Sequence, residues 1–362
     1  MSYLVQPDRT PRRARFPAID AHNHLWGAWD GVAELTAVMD DCGIAAYCDL
    51  TADLDIHWSK EVYRIKPGSM EAFRQRVAGP FPGRFYPFTT AGLIQSAESP
   101  LFDKPGPAVE AAVQKLRADA ALGALGLKLT KELGLLLKDT SGQRIPINAP
   151  YLQPIWEEAA RLGLPVLIHT GDPFGFFQPA TEENEHYRTL QRFKDWDFSD
   201  RDRWPTFQKV QEEFRDLVAN NPSVRFISPH LCNWPENLSY VSNLLDEFPN
   251  LWMDFSARVD ELGRQPYRSR EFFMKHQDRL LFGIDMPASR EVYRFHFRFL
   301  ETFDEFFEPP FYDGTFGHHR WHVHGIGLPD DVLLKIYQQN ILRLLPALHD
   351  RIPAHLLNHS QS

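Results

Sequence analysis

Cysteine is scarce in this chain. Three of its 362 residues, Cys42, Cys48 and Cys232, are cysteines and none forms a Cys-x-x-Cys pair, which excludes both a disulfide framework and a thiolate zinc site. They read as small buried hydrophobes. Long apolar runs are also lacking, since no stretch approaches the ~20 consecutive apolar residues of a membrane span. The segment 1–15 carries Arg9, Arg12, Arg13 and Arg15 without the apolar core of a secretory signal. A cytoplasmic protein that does not engage a membrane is expected. The net charge is -9, with acids and bases interspersed, so there is no basic stripe for a nucleic-acid backbone or an anionic lipid surface. The partner expected is a small-molecule substrate. Internal repeats and low-complexity linkers are absent as well.

What is present is a globular composition, 43% hydrophobic and 24% charged, arranged as short apolar runs alternating with helical patterns. Eight runs read as strands: 18–22, 44–51, 85–93, 124–129, 165–170, 224–230, 251–256 and 279–285. Between several of them lie amphipathic helices such as 151–162, which follows an Asn-Ala-Pro start signal and stops at Gly163. Eight strands separated by helices predict a (β/α)8 TIM barrel in a single domain spanning 1–362. A barrel of ~250 residues leaves roughly 110 for insertions. The longest insertion follows the fifth strand, from Asp172 to about Arg215, and holds Phe174, Phe176, Phe177, Tyr187, Phe193, Trp196, Phe198, Trp204 and Phe207. Aromatics at that density read either as a small satellite core packed over the barrel rim or as a lid or fixed wall of the pocket. A second irregular stretch, about 303–327, lies between the eighth strand and a last helix at 330–345.

The chemistry concentrates at the strand ends. In Ile19-Asp-Ala-His22-Asn-His24, two histidines at i, i+2 end the first strand and can share one side. Pro-Val-Leu-Ile-His169 and Phe-Ile-Ser-Pro-His230 each end an apolar run in a histidine, and Leu-Phe-Gly-Ile-Asp285 ends one in a carboxylate. In a barrel these five groups converge on the C-terminal face, where barrel enzymes keep their active sites. Neutral imidazoles and a carboxylate are what a catalytic divalent ion needs, provided one position stays open. Any one of these histidines could be merely hydrogen-bonded. All five together point to a site.

With these motifs and the closing Lys-Ile-Tyr-Gln-Gln-Asn340-Ile-Leu-Arg-Leu-Leu, the chain resembles the amidohydrolase superfamily from about Pro17 to Leu345. The resemblance is to its amidohydrolase-related branch, which includes aminocarboxymuconate semialdehyde decarboxylase, γ-resorcylate decarboxylase and pyrone dicarboxylate lactonase. It implies one divalent metal ion held by His22, His24, His169 and Asp285, zinc with manganese as the alternative, and a proton-handling His230 beside the water that the metal activates. It also implies a homodimer. Some superfamily members bridge two metals with a carboxylated lysine after the fourth strand; Lys128 lies near that position, and its other reading is an inward lysine that binds an anionic substrate.

The resemblance leaves three functions open. A hydrolase would use activated water against an amide, ester or lactone carbonyl, with Asp285 or His230 carrying the proton to the leaving group. A non-oxidative decarboxylase would protonate a carbon and release carbon dioxide. A non-catalytic barrel would keep the metal for structure or recognition. Hydrolysis is the expected reaction, with Lys128 and Arg258 as candidate substrate-binding residues because a guanidinium can clamp a carboxylate. Arg258 and Arg264 could instead pair with Asp260 or Glu261 at the rim. The dense run His318-His319-Arg320-Trp321-His322-Val323-His324 has no barrel context and reads as a histidine-rich surface loop.

Overall fold

The computed structural model describes residues 9–25, 29–58, 63–93, 104–310 and 321–358. Its strands run in chain order as β1 (Ala18–Asn23), β2 (Ile44–Asp49), β3 (Leu54–Trp58), β4 (Tyr63–Pro67), β5 (Phe85–Pro87), β6 (Leu127–Leu129), β7 (Val166–Ile168), β8 (Phe226–Ser228), β9 (Leu251–Asp254) and β10 (Leu280–Leu281). Eight of them pair in parallel in two ladders, β1-β2-β5 and β6-β7-β8-β9-β10. Backbone hydrogen bonds join the ladders at both seams. Leu125 N donates to Pro87 O and Lys128 N to Thr89 O, each at 2.8 Å, while Ala21 N donates to Phe282 O and Asp285 N to His22 O, each at 2.9 Å. The result is the (β/α)8 barrel.

All eight expected strands are present; β1 runs one residue past its expected end, and the other seven are shorter than their apolar runs, because several runs continue into loop backbone that cannot extend a ladder. The run 224–230 stops at Ser228, since Pro229 has no N–H to give and the next four residues adopt positive φ. The antiparallel hairpin β3–β4 was not expected. Its signal was available in the period-two alternation of Leu-Asp-Ile-His-Trp and Tyr-Arg-Ile-Lys-Pro.

Alternate strand residues fill the barrel, among them Ile19, Ala46, Cys48, Leu167, Ile227, Trp252 and Leu281, with Phe88 just past β5, and Ile341, Leu344 and Leu348 of the C-terminal helices join the same cluster. Those helices cover the N-terminal ends of the strands: Asn340 Nδ2 donates to Leu280 O at 2.8 Å, and Arg225 Nη1 to Leu344 O at 2.5 Å. With that end plugged, the C-terminal ends form the mouth.

Over the mouth lies the insertion after β7. It ends earlier than the expected 215, because Thr206 Oγ1 accepts from Lys209 N at 3.1 Å and caps the helix Phe207–Asn220, which is already the crossover to β8. Its Phe176, Phe177, Leu190, Phe198 and Trp204 form a separate cluster with Leu135 and with Phe207 and Val210 of that helix. Phe174 stacks on Trp234, from the loop after β8, at 5.6 Å, so the insertion packs against that loop. After β10, Phe307 and Val323 exchange backbone hydrogen bonds of 3.0 and 2.9 Å; residues 311–320, including His318 and His319, lie outside the described residues. All three cysteines are buried and free. Among the described residues no helix is long and apolar enough to cross a membrane.

The β10–β1 seam needs a glycine. A Cβ on Gly283 would lie 2.6 Å from His22 Cβ and 2.8 Å from His22 N, atoms that no change of rotamer can move. Gly283→Ala is expected to lower the free energy of unfolding by roughly 1–3 kcal/mol, as overpacking does, a loss readable in the denaturant midpoint; an unchanged midpoint would mean that the seam has slack.

Candidate metal centre

The ends of β1, β7, β8 and β10 bring one carboxylate and four imidazoles together. At β1 a register irregularity between Asp20 and Asn23 frees the strand end from strict alternation. Asp20 anchors it, accepting from Asn23 Nδ2 at 2.9 Å and from Tyr293 OH at 2.8 Å. Burial pushes the Asp20 carboxyl up to about 7 against the pull of these bonds. Both histidines of the strand end then face Asp285: His22 Nε2 lies 3.5 Å from Oδ2 and His24 Nε2 lies 3.5 Å from Oδ1. His230 Nε2 approaches Oδ2 to 3.3 Å. The ligand atoms of His22, His230 and Asp285 lie within 4.8 Å of one another. His169 adjoins them through His230, with ring centroids 4.6 Å apart, and its Nε2 lies 3.8 Å from Asp172 Oδ1.

The far side of each ring decides which nitrogen is free. His22 Nδ1 donates to Asp254 Oδ2 at 2.8 Å; although burial opposes it, the neighbouring His22 helps hold the Asp254 carboxyl well below the usual range, so the acceptor is an anion. His230 Nδ1 faces the carbonyl of Ser256 at 2.7 Å. A carbonyl only accepts, so the proton sits on Nδ1 and Nε2 keeps its lone pair. His24 Nδ1 lies 2.8 Å from Thr51 Oγ1, whose own proton points to Asp49 Oδ1 at 3.5 Å. Such partners orient metal-ligating histidines elsewhere.

Burial holds His24, His169 and His230 well below the usual histidine range, which keeps them neutral near pH 7. Burial also raises the Asp285 carboxyl, with His22 and Lys128 opposing. His22 Nε2, His169 Nε2, His230 Nε2 and Asp285 Oδ1 are all buried without a hydrogen-bond partner. Orphaned polar atoms are rare in native interiors. His22, His230 and Asp285 form one close group, which His169 joins through the His230 ring; imidazole nitrogens and a carboxylate oxygen are donors that fit a divalent transition metal.

Cations border this set. Lys128 is 1% exposed, and burial lowers its ammonium to about 8 against the attraction of Asp285 and Asp254. Arg258 is buried too, with Nη2 donating to Asn233 Oδ1 at 2.7 Å and Nη1 to Ala257 O at 2.6 Å, while Nε has no hydrogen-bond partner. Asn233 Nδ2 donates to Thr170 O at 3.1 Å, tying Arg258 to the end of β7. Asn233 closes the turn that carries His230, where residues 230–233 all have φ between 52° and 57°. Four non-glycine residues in the left-handed region cost ~1–2 kcal/mol each, and strain of this kind clusters at functional sites.

Arg264 stands apart. It pairs with Glu185 of the insertion at 2.8 Å and stacks over Trp321 at 4.0 Å. In the histidine-rich stretch, His322 stacks on Phe306 at 4.0 Å and His324 Nδ1 accepts from Phe306 N at 3.3 Å, so both take part in local packing. Asp254, Ser256, Thr51 and Asp172 were missed from sequence. Asp254 carried the signal that revealed Asp285, an acid ending an apolar strand.

The sequence profile of the family described as Amidohydrolase matches residues 19–347. Among solved structures, a TIM-barrel protein from Bordetella bronchiseptica is similar at 16% identity and a TM-score of 0.53, over 92% of this chain and 99% of that one. A 2,6-dihydroxybenzoate decarboxylase complexed with 2,6-dihydroxybenzoate is similar at 15% identity and a TM-score of 0.51, over 92% and 98%. The 2,6-dihydroxybenzoate decarboxylase from Rhizobium has 15% identity and a TM-score of 0.50, over 91% and 98%. At such identities the likeness concerns the fold. No curated protein matches the chain.

Asp254→Asn tests the tautomer argument, because an amide can meet His22 Nδ1 as donor or acceptor and no longer imposes a free Nε2. Divalent-metal affinity is expected to fall by about 10–100-fold in a chain with unchanged circular dichroism, measured by competition with a chromophoric chelator. Undiminished affinity would make Asp254 incidental.

Proposed function

The chain belongs to the amidohydrolase family, and from that we propose that it is a metal-dependent hydrolase of a small-molecule amide, ester or lactone. The observation that carries this reading is that His22 Nε2, His169 Nε2 and Asp285 Oδ1 are buried without a hydrogen-bond partner, and that His230 Nε2, equally partnerless, keeps its lone pair because Nδ1 faces the Ser256 carbonyl. His22, His24, His169 and Asp285 would hold one ion, zinc with manganese as the alternative. When bound, such an ion supplies Lewis acidity and brings the pKa of water toward ~7.

The chain's own groups supply the proton path and the orientation. His230 keeps one proton on Nδ1 against the Ser256 carbonyl, so Nε2 is the nitrogen that accepts a proton from attacking water. Asp285 Oδ2, 3.3 Å away, is positioned to exchange that proton and pass it to a leaving group. Lys128 and Arg258 are the cations that would orient an anionic portion of the substrate.

Those same two cations favour a second reading, non-oxidative decarboxylation of a small carboxylic acid, which is the activity named for two proteins of like fold. The readings separate on products: a panel of lactones, esters, amides and aromatic acids is assayed for acid release and for carbon dioxide. Acid release without carbon dioxide supports hydrolysis, and carbon dioxide with loss of the carboxylate supports the lyase.

His22→Ala and His24→Ala are expected to lose the ion at the mouth while keeping the fold, since mouth residues contribute less to the core than the strand interiors. Elemental analysis with circular dichroism checks this, and full occupancy of the mouth site in either variant would remove the assignment. His230→Asn is expected to keep most of the metal and lose turnover by ~100-fold or more. Loss of both together would make His230 a ligand; unchanged turnover would leave Asp285 alone as the proton carrier.

A further inference from the structure

A second group of ligand-type side chains lies in the wall over the mouth, outside the cluster around Asp285. Glu185 and His186 come from the insertion, just before its helix Tyr187–Arg192, and Glu236 comes from the loop after β8. The ligand atoms of the three lie within 4.8 Å of one another. His186 Nε2 faces Glu185 Oε1 at 3.7 Å and Glu236 Oε1 at 3.9 Å, too far for hydrogen bonds.

The imidazole is built into place. Its side chain is 2% exposed, its backbone N donates to Asn184 Oδ1 at 2.9 Å, and Asn184 Nδ2 donates in turn to Gly175 O at 2.7 Å. A Cβ on Gly175 would stand 2.4 Å from His186 Cδ2, so the chain leaves room there for the ring. Phe176 and Trp321 meet the ring at right angles with centroids 5.3 and 6.0 Å away. Neither ring nitrogen has a hydrogen-bond partner, and Glu236 Oε2 is also buried without one. A polar ring held among aromatics and aimed at two carboxylates is costly unless something occupies the space between them.

The local charge favours a cation. Arg264 donates to both oxygens of Glu185, to Oε2 at 2.8 Å and more weakly to Oε1 at 3.4 Å, and so offsets one of the two carboxylate charges. Nearby Glu261 is held above the usual carboxylate range by burial, with Glu236 and Asp260 adding to the effect against Arg258. The separations also suit an ion: a tetrahedral metal with bonds of about 2.1 Å sets its ligands about 3.4 Å apart, a few tenths closer than the observed pairs.

We propose that Glu185, His186 and Glu236 bind a second divalent ion of the zinc or manganese class. One imidazole and two carboxylates are a borderline-hard donor set that such ions accept. The ion would cross-link the insertion to the loop after β8, and thereby fix the wall to the segment whose first turn carries His230. It acts as a structural pin and takes no part in the reaction.

The test is zinc binding by the full chain after chelator dialysis, read as ions per chain by elemental analysis and as anomalous density in zinc-soaked crystals. Wild type is expected to bind one ion at the mouth and one between Glu185, His186 and Glu236. His186→Ala and Glu236→Gln should each lose only the second ion, and His24→Ala only the first. Absence of zinc density at the wall site in wild type overturns the proposal and leaves His186 as a buried imidazole facing two carboxylates. Full zinc content in both wall variants overturns it equally. Should the variants fail to fold, the wild-type density decides. Loss of the mouth ion alone would instead count against the catalytic reading, so the two failures remain distinct.

Discussion

The barrel closes where β10 meets β1, and that seam is built from the site itself. Asp285 N donates to His22 O, so the hydrogen bond that completes the ring also sets the carboxylate beside the first imidazole. The approach is close enough that the intervening residue must be Gly283. Asp285 has φ +46°, which turns its side chain out of the strand direction and over the mouth. Closing the fold and assembling the carboxylate–imidazole pair are therefore one event. A chain that failed to close there would leave Asp285 on one ladder with His169 and His230, and His22 and His24 on the other.

Once the seam is shut, burial governs the chemistry. Desolvation disfavours the charged form of every group in the mouth, so His24, His169 and His230 are kept neutral and Lys128 is drawn down to about 8. Asp254 is the exception, an anion maintained by His22, His230 and Ser256 against its burial. Its negative charge fixes the His22 proton on Nδ1, and its Oδ1 accepts from the backbone N of His230 at 3.2 Å and from Ser256 Oγ at 2.6 Å. One carboxylate thus orients groups from three strand ends. The left-handed turn at 230–233 is tolerated because it is held from both sides, by Asp254 at its start and by Asn233 bonding Thr170 and Arg258 at its end.

The strand order and the five convergent residues were legible because both follow from local pattern: apolar runs of strand length, each ending in a histidine or an acid. The family followed from the same motifs. What was not legible depends on contacts between distant segments. Asp254 looked like any strand-end acid until its 2.8 Å bond to His22, across 232 residues, gave it a role. Arg264 was read against its sequence neighbours Asp260 and Glu261, yet its partner is Glu185, 79 residues away. The insertion's length was overestimated because its aromatics run without a break into the crossover helix, and only the Thr206 cap marks the boundary. The β3–β4 hairpin was overlooked for a different reason. Its alternation is clear, but a search for parallel, fully buried strands favours continuous apolar runs.

The division of the mouth into rigid and variable parts bears on which reaction the site performs. The groups around Asp285 stand on strand ends and are oriented by Asp254, Ser256 and Thr51, so their geometry is set by the barrel itself. Lys128 is on β6 and equally fixed, whereas Arg258 lies in a turn after β9 and is aimed by Asn233. A substrate anchored by both cations would have its anionic end held at two points, leaving only one of its carbons or carbonyls near His230 Nε2. Hydrolysis requires a carbonyl carbon at that position with water on its open side. Decarboxylation requires a carbon that can take a proton there. On the proposed reading His230 would be the proton carrier in either case, so the choice of reaction would rest on Arg258 and on how the aromatic insertion lets a substrate lie across the mouth.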